Sequence, residues 1–124
     1  MSGIDYLIDT NILVYMLQGN SKVRYFAQEE FLAVSCVTEM EMLGKYQIFD
    51  EEKETIEELL EQCNIIDITY KIKQTAIKLR QNYRIKLPDA IIAATAIQQN
   101  LTLVTADKGF SKISELDLIL LNME

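Results

Sequence analysis

Residues 88–107 read PDAIIAATAIQQNLTLVTAD, and this stretch sets the fold class. Pro88, the only proline in the chain, suits the first turn of a helix, where its missing N–H leaves no bond unmade. The run Ala90–Gln99 continues as helix, and the alanines at 90, 93, 94 and 96 predict a central helix lying close against a sheet. Leu101–Thr105 then reads as a strand, with Asp107 just past its end and Asp89 at the head of the preceding helix.

Working outward, further strand-like apolar runs occur at Ile4–Ile8, Phe31–Val37, Asn64–Ile68 and Leu116–Leu121. They are rich in Ile, Val and Leu on both faces, as strands of a covered parallel sheet are. Ile56, Leu59, Leu60 and Cys63 form a helical stripe, and Ile72, Ala76, Leu79 and Tyr83 form another. The stretches 11–30, 38–62 and 70–100 each read as two successive helices. The expectation is a single domain over residues 1–124: α/β, a three-layer α/β/α sandwich with a mostly parallel sheet of about five strands.

Composition narrows the chemistry. With 124 residues, 49% of them apolar, the chain is long enough to bury a core and too apolar to be disordered. It contains no histidine, which excludes His-based triads, imidazole bases and the common zinc sites. Cys36 and Cys63 have no CxxC spacing and read as small buried apolar residues. No leader-like or membrane-length apolar run is present, so the expected location is cytoplasmic, with no membrane partner. The net charge of −7 is unevenly spread. Seven acids and one lysine fall between Asp50 and Glu61, read as a solvated helix face, while Lys71 to Pro88 carries six basic residues and no acid.

Asp9, Glu41, Asp89 and Asp107 are each expected where a strand hands over to a helix. Each has an ordinary structural use. Asp9 and Asp107 suit helix caps, although Thr10 and Asn11 offer caps that would release Asp9. Thr38 and Glu41 have capping-box spacing. Asp89 suits the helix dipole. Taken together, strand ends on one edge of a parallel sheet converge, and carboxylates forced together repel unless a cation lies between them. The pattern points to a divalent-metal site.

The strings LIDTNILVY (residues 7–15), Thr-x-x-Glu-x-x-Gly (38–44), PDAIIAATAIQQNLTLVT (88–105) and TADKGF (105–110) together resemble the PIN-domain ribonucleases, and among them the VapC-like toxins of type II toxin–antitoxin systems. The resemblance runs from about Ile4 to Ile113 in the family's motif order. It implies that Asp9, Glu41, Asp89 and Asp107 are the catalytic quartet, with Asn11 and Thr105 orienting the site. It also implies Mg²⁺ or Mn²⁺ as cofactor, RNA as substrate, a homodimer, and inhibition by a cognate antitoxin. Ala106 and Gly109 depart from residues common in relatives and bear on substrate contacts near Asp107.

Phosphodiester hydrolysis on such a site uses Asp9 and Asp89 as metal ligands, with Asp107 supporting that ion or a second one, and Glu41 handling the attacking water. Mg²⁺ prefers oxygen donors, which suits carboxylates without imidazole. Lys73, Arg80 and Arg84 share a helical face at i, i+7 and i+11 and are expected to track the RNA backbone. Two other readings compete. A non-catalytic PIN-like module would bind RNA or protein without cutting. A phosphate-receiver domain would need an adjacent acidic pair after the first strand, where Thr10 and Asn11 follow Asp9; a haloacid-type phosphatase would need a second acid where Asn11 stands.

Overall fold

The computed structural model describes residues 4–29 and 31–123. In chain order these form β1 (Ile4–Ile8), α1 (Thr10–Leu17), α2 (Ser21–Glu29), β2 (Phe31–Ser35), α3 (Cys36–Leu43), α4 (Asp50–Glu61), β3 (Cys63–Ile66), α5 (Tyr70–Asn82), α6 (Leu87–Gln99), β4 (Thr102–Thr105), a 3₁₀ turn (Lys108–Lys112) and β5 (Leu118–Leu120). The three paired-helix connections occur as read. β1 has the bounds of its apolar run, β3 begins one residue earlier than its run and ends two earlier, and the other three strands are shorter than theirs. β2 stops at Ser35 because the Ser35 hydroxyl accepts the Val37 N–H and begins α3 there.

The five strands pair in parallel in the order β3-β2-β1-β4-β5, with β1 at the centre. Successive strand residues face opposite sides of a sheet, which here creates two cores. Leu7, Ala33 and Leu103 point into one, beneath α5 and α6. Ile8, Leu32, Val34 and Val104 point into the other, beneath α1, α2, α3 and α4. The architecture is a three-layer α/β/α sandwich. Leu7, Ile8, Leu103 and Val104 are fully enclosed, and each such side chain contributes about 1.5–3 kcal/mol relative to exposure.

The close approach predicted from the alanines of α6 is present: Ala90, Ala93, Ala94 and Ala96 are all inaccessible to solvent. Pro88 lies in the first turn, and α6 ends at Asn100 in the left-handed conformation (φ 57°, ψ 45°), a common helix stop. Cys36 and Cys63 are free thiols and half-buried rather than enclosed, and burial pushes the Cys63 thiol up. No helix among the described residues is long and apolar enough to cross a membrane.

Candidate active site

The chain lays β2 and β3 on one side of β1, then β4 and β5 on the other. The sheet's order therefore reverses beside β1, and in open α/β sheets the crevice at the carboxyl ends of such strands is where ligands bind. Asp9 is the residue immediately after β1, and its N–H donates to Val104 O of β4 at 3.3 Å. Asp107 lies two residues past β4. Glu41 comes from α3, which follows β2, and Asp89 from the first turn of α6.

Two of the four acids therefore do not stand at strand-to-helix junctions. Asp89 follows α5 through a loop, and Glu41 lies beyond the first turn of α3. The capping box at Thr38 is also absent, because Ser35 is the cap. Thr38 is instead fully buried inside α3, one turn before Glu41 on the same face.

Hydrogen bonds tie the acids to the framework. Asp9 Oδ1 accepts the Ile12 N–H at 2.9 Å, so Asp9 does cap α1, contrary to its release by Thr10 or Asn11. Its Oδ2 accepts the Thr105 hydroxyl. Thr105 Oγ1 in turn accepts the Asp107 N–H at 3.0 Å, so one hydroxyl joins two acids. Asp107 Oδ1 accepts the Gly109 N–H at 2.8 Å, and a Cβ at position 109 would come within 3.1 Å of that oxygen. Thr10 Oγ1 donates to Glu41 Oε1 at 2.6 Å and lies 3.0 Å from Thr38 Oγ1. With the Thr10 proton committed to Glu41, Thr38 is the donor in that second pair. The sequence marked Thr10 and Thr38 only as caps; the i, i+3 spacing of Thr38 and Glu41 was the signal for their shared role. Asn11 is exposed and makes none of these bonds.

Gly44, which closes the Thr-x-x-Glu-x-x-Gly string, donates its N–H to Met40 O at 2.8 Å. A Cβ there would fall 2.4 Å from that carbonyl oxygen, so the end of α3 closes only around a glycine.

The four acids form one electrostatic group. Burial is the main reason Asp9 is held above the usual carboxylate range, and the charges of Asp107 and Asp89 add to it, against the bonds from Thr105 and Ile12. Burial also raises Asp89, helped by Asp107 and Glu41 and opposed by Lys86 and Lys112. Asp9 is only 4% exposed, so its desolvation is uncompensated by solvent.

Among the described residues no three carboxylates are gathered closely enough to cage an ion. The donor set nevertheless fits Mg²⁺ or Mn²⁺. It offers only oxygen, its charges repel, and Mg²⁺ is ordinarily held by one or two carboxylates while keeping several waters. Each Asp9 oxygen that accepts one hydrogen bond retains a further lone pair.

The basic residues border three adjoining hollows, and Arg80 shares one of them with Arg84. Lys73 and Arg80 border an apolar groove of about 440 Å³ between α5 and α6, floored by Ala76, Ile77, Leu87 and Ile91. Lys73 sits 5.3 Å from the Tyr70 ring, and Arg80 Nε donates to Ile85 O at 3.3 Å. Arg84 lies past the end of α5, so it does not share the helical face expected of it. It borders a cleft of about 200 Å³ with Lys86, Lys112, Asp89 and Asp107.

The PIN domain profile matches residues 6–116. The structure resembles a toxin–antitoxin complex from Klebsiella pneumoniae at 33% identity and TM-score 0.79, covering 93% of this chain and 96% of that one. It also resembles VapBC2 from Rickettsia felis bound to a promoter DNA fragment, at 26% identity and TM-score 0.83, covering 96% and 99%. VapBC-1 from nontypeable Haemophilus influenzae aligns at 25% identity and TM-score 0.81, covering 94% and 97%. No curated protein matches the sequence.

Proposed function

This chain belongs to the PIN-domain family, and on that footing we propose that it is a Mg²⁺- or Mn²⁺-dependent endoribonuclease, the toxin of a toxin–antitoxin pair. The support is the meeting of Asp9, Glu41, Asp89 and Asp107 as one repelling group in the crevice beside β1. The antitoxin partner is inferred from the complexes that the chain resembles. A homodimer acting in the cytoplasm completes the proposal, resting on the family resemblance.

In this mechanism Asp9 and Asp89 would hold the cation, with Asp107 supporting it from beside Thr105. When bound, the ion would supply a lowered water pKa and neutralisation of charge building on the phosphate. Glu41, oriented by the Thr10 hydroxyl, would position the attacking water and accept its proton. Thr105 holds the Asp9 and Asp107 segments in register, so their carboxylates approach the phosphate together. Of the three cations read from the sequence, Arg84 is kept as an RNA contact because its cleft reaches the acids. Lys73 borders the α5–α6 groove, and Arg80 borders both that groove and the hollow it shares with Arg84.

The test is incubation of purified protein with total RNA plus Mg²⁺ or Mn²⁺, with and without chelator, followed by sequencing of the new ends. Discrete ends that vanish with chelator are expected. Intact RNA under every metal condition would favour the non-catalytic binding module instead.

A further inference from the structure

The cleft that reaches the acids carries positive charge the catalytic roles do not use. Arg84, Lys86 and Lys112 border it, beside Asp89, Asp107 and Gly109. These cations come from two separate elements. Lys86 immediately precedes α6, and Lys112 ends the 3₁₀ turn that follows Asp107. The Lys112 ammonium donates to the Arg84 carbonyl, which ties the two walls together.

Apart from that bond from Lys112, neither lysine makes a side-chain hydrogen bond or ion pair among the described residues. Both are exposed, and Lys86 occupies the N-cap position of α6 without a side-chain cap bond. Both border the cleft that holds Asp89 and Asp107. A lysine that served only to neutralise the acids would weaken the attraction of the site for a cation. Two of them on one wall are better explained by an anion placed there with the metal.

Resting on the nuclease reading, we propose that Lys86 and Lys112, with Arg84, form a phosphate-binding subsite for the RNA phosphate next to the one being cut. The ligand class is a single-stranded phosphodiester backbone. Asp107 also borders a second cleft of about 600 Å³, lined by Tyr15, Lys108 and Asn122. Open room therefore lies along Asp107 as well as beside Asp89, with a strand's charge held on the Lys86 side. Recognition there is electrostatic and independent of base identity.

The experiment measures binding of a labelled oligouridylate by anisotropy across a salt series, with Ca²⁺ replacing Mg²⁺. The proteins compared are wild type, K86Q/K112Q, K86R/K112R and K53Q/K71Q. Losing one neutralised phosphate lowers the slope of log K against log salt by about 0.7 for a single strand. K86Q/K112Q is expected to show that drop and a raised KM for RNA. K86R/K112R should restore the wild-type slope. K53Q/K71Q, which removes equal charge at exposed positions that border none of these clefts, should leave it unchanged.

Calorimetry with Mn²⁺ alone supplies the second readout. K86Q/K112Q should bind the metal more tightly than wild type, because repulsion has been removed, while binding RNA more weakly. Tighter metal with an unchanged RNA slope would mean that the lysines only balance the acids, and would overturn the subsite. A slope lowered as much by K53Q/K71Q would overturn it too. Wild type that neither binds nor cuts RNA would take down the nuclease reading itself, which distinguishes the two failures.

Discussion

The Thr105 hydroxyl, at the end of β4, donates to Asp9 Oδ2, at the end of β1, and accepts the N–H of Asp107. Two acids distant in sequence are thereby joined through one buried oxygen. Thr105→Val should cost about 1–3 kcal/mol, because Asp9 would lose a donor where no water replaces it. Without that bond the Asp9 pKa rises further, so the acid limb of the activity profile should move to higher pH. Denaturant melts and a pH–rate profile measure the two effects. Wild-type values in both would mean the contact carries no energy.

Asp9→Asn should reduce metal-dependent cleavage to background while leaving the metal-free fold at least as stable as wild type. Asparagine keeps an oxygen to accept the Ile12 N–H and removes one charge from a repelling group. Paired measurements of RNA cleavage and melting temperature decide it. A large drop in stability would show the carboxylate to be structural first.

The pH dependence of stability has a definite sign. Asp9 and Asp89 are raised above 3.8, chiefly by burial. A carboxyl with a raised folded pKa holds its proton more tightly in the folded chain, so stability falls as pH climbs from 3.8 through the folded value. Urea melts without divalent ion should therefore show D9N gaining on wild type across that window. The gap should close when Mg²⁺ is added, because the ion binds only the folded acids. A gap that widens towards acid pH would reverse the assignment of burial as the cause.

Thr10→Val should lower kcat by about ten- to a hundredfold, as losses of orienting partners do, with KM nearly unchanged. It should also cost about 1–3 kcal/mol of stability, because the buried Thr38 hydroxyl loses its acceptor. Glu41 is exposed, so its lost bond bears little on stability. An unaltered kcat would remove Thr10 from the catalytic arrangement.

Gly44→Ala should destabilise the chain by about 1–3 kcal/mol, since its methyl group meets the Met40 carbonyl. The shift falls on the turn that carries Glu41, so activity should decline beyond the loss of folded protein. Specific activity corrected for folded fraction provides the check.

Much of the architecture was legible because parallel strands and amphipathic helices leave strong periodic marks. The order of elements, the covered sheet and the tight packing of α6 all came from apolar spacing. Helix starts were harder: Ser35 outcompeted Thr38 as the cap of α3, and several residues near β2 suited either role. The acids were found, and Thr105 came with the family resemblance, but the Thr10 support of Glu41 was not, because that hydrogen bond joins residues 31 apart and leaves no periodic trace. Spacing along α5 placed Lys73 and Arg80 on one face without revealing that this face borders an apolar groove against α6. Lys112, on another element altogether, could be located only in three dimensions.

The reversal of strand order at β1 has a temporal consequence. During synthesis Asp9, Glu41 and Asp89 all emerge before β4 and Asp107. A ribosome-bound polypeptide halted before β4 carries three of the four acids and lacks the strand that pairs with β1 on its other edge. Whatever activity the finished molecule has is withheld until that strand and Asp107 have been made.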